Sequence, residues 1–295
     1  MFEQLGLIGC GLMGGSFALA CKRAGLVKRV VGYSKSPSTT ERARQLGVID
    51  VEAPSALLAV AGADLVLVAV PVAATEATLK AIKHLVTPRL LVMDVGSTKL
   101  DVVQAASRAL REQIGSFVPA HPIAGREVSG VEHADANLYQ GARVILTPFE
   151  RTHSEQLENA ERVWSAIGCR VSRMTPQEHD AGFAAVSHLP HLLAFAMLGS
   201  INAQPEAERL LALAGPGFRD FTRIAASDPV MWRDVLRANR EQVLAQSQHF
   251  VQALELLQNA MRADDNGQML QDLITLASTT RARWRLGDAS LPTDH

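Results

Sequence analysis

The stretch LGLIGCGLMGGSFALA, residues 5–20, leaves little freedom in how this chain begins to fold. An apolar run at residues 5–9 leads into Gly9, Gly11 and Gly14 in the order G-x-G-x-x-G, and a helix-like segment follows at once. In such a turn the first glycine allows the tight bend and the second lets a pyrophosphate approach the backbone. The third lets the helix pack close against the strand. The helix start adds free N–H groups and a positive dipole end for phosphates. Gly9, Gly11, Leu12, Met13 and Gly14 are therefore the expected cofactor contacts, the other reading being glycines that serve a turn alone.

The first half of the chain alternates short apolar runs with helical stretches. Strands are predicted at residues 5–9, 30–33, 65–70, 90–95 and 144–147, with helices at 13–24, 39–46, 75–85 and 99–114. Continuous apolar strands separated by helices predict a parallel sheet covered on both faces. A helix at 155–167 and a strand at 169–174 finish this half. Beyond Pro176 long helical patterns dominate, at 177–202, 206–214, 228–261 and 267–286. The expected fold is α/β: an N-terminal Rossmann-type, doubly wound, mostly parallel sheet over residues 1–174, then an all-helical C-terminal domain over 175–295.

The 295 residues are 47% hydrophobic and 20% charged, with a formal net charge of -1. That balance supports a sizeable core and offers no global attraction for nucleic acid or an anionic membrane, so neither is expected as a partner. Cys10, Cys21 and Cys169 are odd in number and widely spaced, which is neither a disulfide framework nor a zinc pattern. Buried thiols in a reducing cytoplasm are expected.

The second strand ends in RVVGYSKSP, where a chain that reads NAD usually places an Asp or Glu for the ribose hydroxyls. Counting twenty residues on from Gly14 reaches Ser34, followed by Lys35. A carboxylate there would repel a 2′-phosphate, whereas a hydroxyl and an ammonium favour it. NADP is the preferred cofactor, with NAD possible and a solvated polar loop as the alternative.

Three stretches fall where strand ends should meet a ligand: VMDVGSTK, AHPIAGREVSG and SHLPH; GFRDFTRIAASDPVMW lies further on. His121 precedes a proline and a glycine turn, so it is expected in a loop. There it either accepts a proton from a hydroxyl undergoing oxidation or serves a structural hydrogen bond. His188 and His191 are three apart on a predicted helix and share a face. No accompanying Glu or Cys pattern supports a metal, and none is expected.

Together, VGSTK, HPIAGRE-SG, SHLPH and DFTRIAASDP-MW in this order resemble the prephenate or arogenate dehydrogenases of tyrosine biosynthesis. The resemblance implies an oxidative decarboxylation in which hydride passes to a nicotinamide and the ring carboxylate departs as carbon dioxide. It implies that His121 hydrogen-bonds the substrate 4-hydroxyl and that Ser97 orients that hydroxyl and the nicotinamide. It matches Arg223 to a carboxylate-binding arginine, Ser187, His188 and His191 to the substrate pocket, and Glu127 to an acid that gates access. It also implies a homodimer built through the helical domain. Two rivals remain at this point. A 3-hydroxyacid or 6-phosphogluconate-type dehydrogenase commonly relies on a lysine in the helical half, yet residues 177–202 contain none. A dinucleotide-sensing module would need the glycine turn and could dispense with His121 and Arg223.

Overall fold

The computed structural model describes residues 1–125, 128–263 and 266–285. Among these, six strands form the main sheet: β1 (Phe2–Ile8), β2 (Val27–Tyr33), β3 (Val51–Glu52), β4 (Leu65–Val68), β5 (Leu91–Asp94) and β6 (Phe117–Val118). Their order is β3-β2-β1-β4-β5-β6, and every neighbouring pair is parallel. This is the doubly wound order of dinucleotide-binding folds, in which the chain reverses direction across the sheet between β1 and β4.

Two-residue periodicity divides the strand side chains between two helical layers. Leu5, Leu7, Leu65, Leu67, Leu91 and Met93 pack on one face against α1 (Leu12–Arg23), through Phe17. Trp164 of α6 (Ser154–Ala166) joins the same cluster, its ring centroid 5.0 Å from that of Phe17. Ile8, Val66, Val68 and Val92 face the other way. They meet Leu79 and Ile82 of α4 (Thr75–Ile82) and Val102 of α5 (Leu100–Leu110). Two shorter helices, α2 (Pro37–Gln45) and α3 (Ala56–Val60), complete the crossovers of the first half.

A second sheet of three strands follows: β7 (Ala120–Ile123), β8 (Arg143–Leu146) and β9 (Arg170–Arg173). β8 and β9 fall on the strands predicted at 144–147 and 169–174, while β7 and the split from the main sheet do not follow from sequence patterning. β7 runs antiparallel to β8, and β8 parallel to β9. His121 lies on β7 opposite Ile145, so the expectation that it sits in a loop is corrected. Pro122 suggested that loop. The proline is tolerated because β7 is an edge strand, where a missing N–H costs no ladder bond.

Helices take over from Pro176. α7 (Pro176–Phe183) opens with a capping box between Thr175 and Glu178. It passes through a π-helical turn, Ala184–His188, into α8 (Leu189–Asn202). Pro190, which lacks an N–H, follows directly on that π turn inside the continuous helix 176–202, so the irregular turn and the proline fall together. By length and apolarity residues 176–202 could cross a membrane, yet His179, Asp180 and His188 within them are buried and hydrogen-bonded to protein groups. α9 (Ala207–Ala212), α10 (Pro216–Thr222) and α11 (Pro229–Ala238) follow.

The chain separates into two compact units, Met1–Arg240 and Glu241–His295. Everything described below as the site belongs to the first. The second comprises most of α12 (Arg240–Arg262) and α13 (Gln268–Arg283), with Leu244, Val251, Leu254, Leu256, Ile274 and Leu276 exposed.

Candidate active site

The glycine turn is shaped by its contacts. Gly9 has φ +98°, and a Cβ there would lie 2.2 Å from the Ala69 carbonyl oxygen. A Cβ on Gly14 would lie 2.1 Å from the Gly9 oxygen, so only glycine lets α1 sit this close to β1. Gly11 differs: nothing lies within 4 Å of where its Cβ would be. Gly11 also caps α1 without a side-chain hydrogen bond. That leaves the first amides of the helix, on Leu12 and Met13, facing an open cradle suited to a pyrophosphate.

Ser34 closes the turn from the side. Its Oγ accepts the Cys10 backbone N–H at 2.8 Å, and its own N–H donates to Thr40 Oγ1 at 3.0 Å. The same hydroxyl also hydrogen-bonds the Cys10 thiol, which works against the upward push of burial on that group. Lys35 beside it is exposed, and no carboxylate pairs with it among the described residues. Cys10, Cys21 and Cys169 are all buried, and burial pushes the thiols of Cys10 and Cys169 up to about 11 and about 12.

At the carboxyl end of β5 the chain builds a buried ionic knot. Lys99 Nζ lies 2.5 Å from Asp94 Oδ2 and donates to the Ala120 carbonyl at 2.7 Å. Asp94 also accepts the N–H groups of Ala120 and Gly96, at 3.0 and 2.8 Å. The loop carrying Ser97 is thereby tied to β7, one residue before His121. The backbone N–H groups of Lys99 and Leu100 donate to the two carboxylate oxygens of Asp180 on α7, at 2.8 and 2.9 Å.

From Asp180 a chain of short contacts runs to His121. Asp180 Oδ1 lies 2.7 Å from His179 Nδ1, and His179 Nε2 lies 2.8 Å from His121 Nδ1. Phe183 stacks on His179 at 4.4 Å between centroids and tilts against His121 at 4.8 Å. Burial holds the pKa of His121 well below the ordinary histidine value, with His179, Lys99 and His188 adding to the fall. Burial likewise lowers His179, against the pull of Asp180. For Asp180 burial acts upward, but the hydrogen bonds from His179, Leu100 and Lys99 outweigh it and keep the carboxyl low. Both histidines are neutral at neutral pH. Nε2 of His121 is not among the buried polar atoms left without a partner.

His188 meets the same network from the π turn. The Asn239 amide donates to the Asp180 carbonyl at 2.7 Å and lies 3.0 Å from His188 Nδ1. An amide N–H₂ only donates, so Nδ1 is the acceptor and Nε2 carries the proton. That Nε2 is buried without a hydrogen-bond partner among the described residues. Burial lowers His188 to about 4, against Asp180 and the Ser97 backbone, which act to raise it. His191 donates from Nδ1 to the Ser187 carbonyl at 2.9 Å and stacks on Trp232 at 3.6 Å. Arg223 is exposed at the head of the turn Arg223–Ala226, which packs against α8.

The structure thus gathers His121, the Ser97 loop, His188, Ser187 and His191 around one end of the parallel sheet. Arg223 sits on a neighbouring turn. Glu127 lies outside the described residues. Sequence reasoning missed Asp94, Lys99, His179, Asp180 and Asn239. The adjacent pair His179-Asp180, directly after the capping-box glutamate, was the available signal, because two ionisable side chains in succession at the head of a long, mostly apolar helical stretch need partners.

A Rossmann sheet, an open glycine cradle and neutral buried histidines beyond the strand ends define a nicotinamide-dependent dehydrogenase. Comparison with known proteins sharpens the class. A model of the prephenate dehydrogenase nucleotide-binding domain matches residues 17–173, and one of the prephenate dehydrogenase dimerization domain matches residues 175–275. Prephenate dehydrogenase of Bacillus subtilis is 36% identical over 90% of this chain and 72% of its own length. Cyclohexadienyl dehydrogenase of Zymomonas mobilis is 33% identical over 92% of each chain. The crystal structure of prephenate dehydrogenase from Aquifex aeolicus, in complex with hydroxyphenyl propionate and NAD+, superposes with a TM-score of 0.89. It is 36% identical, and the match covers 96% of this chain and 98% of that one. The chain belongs to the prephenate dehydrogenase family, oxidoreductases of aromatic amino acid biosynthesis that decarboxylate prephenate or arogenate as they oxidise it. The 3-hydroxyisobutyrate dehydrogenase of Salmonella typhimurium shares the fold alone, at 15% identity. The hydroxyacid dehydrogenase alternative is not favoured.

Proposed function

We propose that this chain oxidises both prephenate and arogenate, prefers NADP, and uses His121 as the acceptor of the substrate 4-hydroxyl. The observation that carries the role of His121 is its setting: it is buried and hydrogen-bonded to His179 through Nδ1, and burial holds its pKa well below the ordinary histidine value. Its Nε2 lone pair accepts the hydroxyl proton and raises electron density on that oxygen, which weakens the C–H bond on the same carbon. The ring carboxylate then leaves as carbon dioxide, and aromatisation drives the step. When bound, the nicotinamide supplies the carbon that accepts the hydride.

Ser97 orients the 4-hydroxyl. Ser187, His188 and His191 line the substrate pocket, with Trp232 holding the His191 ring flat against it. Arg223 pairs with a substrate carboxylate, a task suited to a planar guanidinium, and Glu127 gates access. Gly9, Gly11, Gly14 and the Leu12 and Met13 amides hold the pyrophosphate. We assign residues 175–295 to substrate binding and to a homodimer, supported by the exposed apolar side chains of α12 and α13 and the matching dimerization-domain model. A cytoplasmic location fits three buried free thiols.

The cofactor preference rests on Ser34. Its hydroxyl sits beside the glycine turn on Cys10, and turning from the Cys10 thiol to a 2′-phosphate oxygen would give it a stronger acceptor, with Lys35 adjacent. The wild-type enzyme is expected to show kcat/KM about tenfold higher with NADP than with NAD, roughly 1.4 kcal/mol of discrimination. Ser34→Asp is expected to reverse that ratio. Equal use of both cofactors, or preference for NAD in the wild type, would overturn the assignment and leave the family intact.

A further inference from the structure

The contacts around His121 fix more than its position. Asp180 is ionised and already accepts two backbone N–H groups, so it can only accept from His179 as well, which places the His179 proton on Nδ1. Neutral His179 then offers a lone pair at Nε2. The contact of 2.8 Å to His121 Nδ1 is a hydrogen bond only if His121 donates, so the His121 proton sits on Nδ1. We propose that His179, held by Asp180, is a positioning residue that fixes His121 as its Nδ1–H tautomer and keeps Nε2 a hydrogen-bond acceptor.

The inference rests on the reading of His121 as the acceptor of the substrate hydroxyl. The opposite tautomer would present an N–H to that hydroxyl and could take no proton from it. A partner on the far nitrogen that sets tautomer and ring orientation is a recurring device in imidazole chemistry. Packing here serves the same end. Phe183 covers both rings, and the Asp180 carboxylate is anchored to the loop after β5 rather than to solvent. Asn239 fastens the Asp180 backbone from the end of α11.

The first test needs no turnover. Imidazole nitrogen NMR of histidine-labelled wild-type protein, with the His121 signals assigned by their loss in His121→Asn, is expected to show Nδ1 protonated and Nε2 bare at neutral pH. A protonated Nε2 would overturn the proposal, even if His121 proves essential. The second test is kinetic. His179→Leu is expected to lower kcat by about 100-fold with substrate KM and cofactor affinity changed less than about threefold. His179→Gln places an acceptor oxygen near the lost Nε2 and is expected to recover at least about tenfold of that loss. A His179→Leu enzyme with wild-type kcat, or equal losses in the Leu and Gln variants, would show that His179 only fills space. Should His179→Leu fail to fold, the wild-type spectrum and the Gln variant decide the matter. Should His121→Ala turn over normally, the acceptor reading fails while the tautomer measurement still stands on its own.

Discussion

Replacing His121 with alanine is expected to lower kcat by about 1,000-fold, the middle of the range for a positioned general base. The loss should fall on kcat rather than on cofactor affinity, because the glycine turn and Ser34 lie on other strands and loops. The pH profile of the wild type carries the same information. Activity needs His121 neutral, so it is lost as pH falls through the folded pKa. Burial, His179, Lys99 and His188 put that value well below the ordinary histidine value. The groups facing His121 are His179 and Asp180 on α7, Lys99 and Asp94 after β5, and His188 on the π turn. His179 is lowered too. Protonating it would turn its Nε2 into a donor and remove the acceptor that His121 needs. Both titrations therefore act below the ordinary histidine range, and kcat is expected to stay level from pH 8 down to about 6.5. A decline in kcat centred near the ordinary histidine value, from a single group that disappears in His121→Ala, would mean that His121 is solvated, contrary to its burial.

Lys99→Met should bring the largest loss of stability. The Lys99 and Asp94 side chains are 0% and 2% exposed, and their ion pair stands at the junction of β5, β7 and the loop carrying Ser97. Removing the ammonium leaves a buried carboxylate with only the Ala120 and Gly96 amides for company. Breaking one side of such a pair costs about 3–5 kcal/mol. Urea unfolding is expected to register that loss as a lower midpoint. Adding Asp94→Asn should restore part of it, because the uncompensated charge is then gone. A midpoint unchanged in Lys99→Met would mean that Asp94 finds water or protonates at little cost. The pair also ties the strand that carries His121 to the loop that carries Ser97, so the same variant should lose activity before it loses its fold.

The Rossmann half is legible in the sequence because its signals are local. The glycines of the turn have single steric reasons, and strands buried on both faces read as continuous apolar runs. What stays hidden depends on pairings across the fold. β3 and β6 are two residues long, and no periodicity can be read from two residues. β7 contains Pro122, which argues against a strand until its partner β8 shows it to be an edge. The stretch 228–261 reads as one helix, whereas the structure breaks it at Asn239, between α11 and α12. That break turns the Asn239 amide toward Asp180 and His188.

The site follows the same division. His121, His188 and His191 are visible as residue types in motifs, and the family resemblance gives them roles. Asp94, Lys99, His179 and Asp180 act through one another over separations such as the 81 residues between Lys99 and Asp180. A buried network is satisfied only as a whole, so no member stands out alone.

One assay decides whether this chain does what its neutral histidine and its family indicate. Purified protein is offered prephenate and arogenate, each with NADP and with NAD, while reduced nicotinamide and released carbon dioxide are followed together. Equal amounts of the two, from both substrates and faster with NADP, are the expected result, with 4-hydroxyphenylpyruvate and tyrosine as the products. Cofactor binding without reduction in any mixture, from folded protein, would contradict it and leave a dinucleotide-binding protein that carries this site without using it.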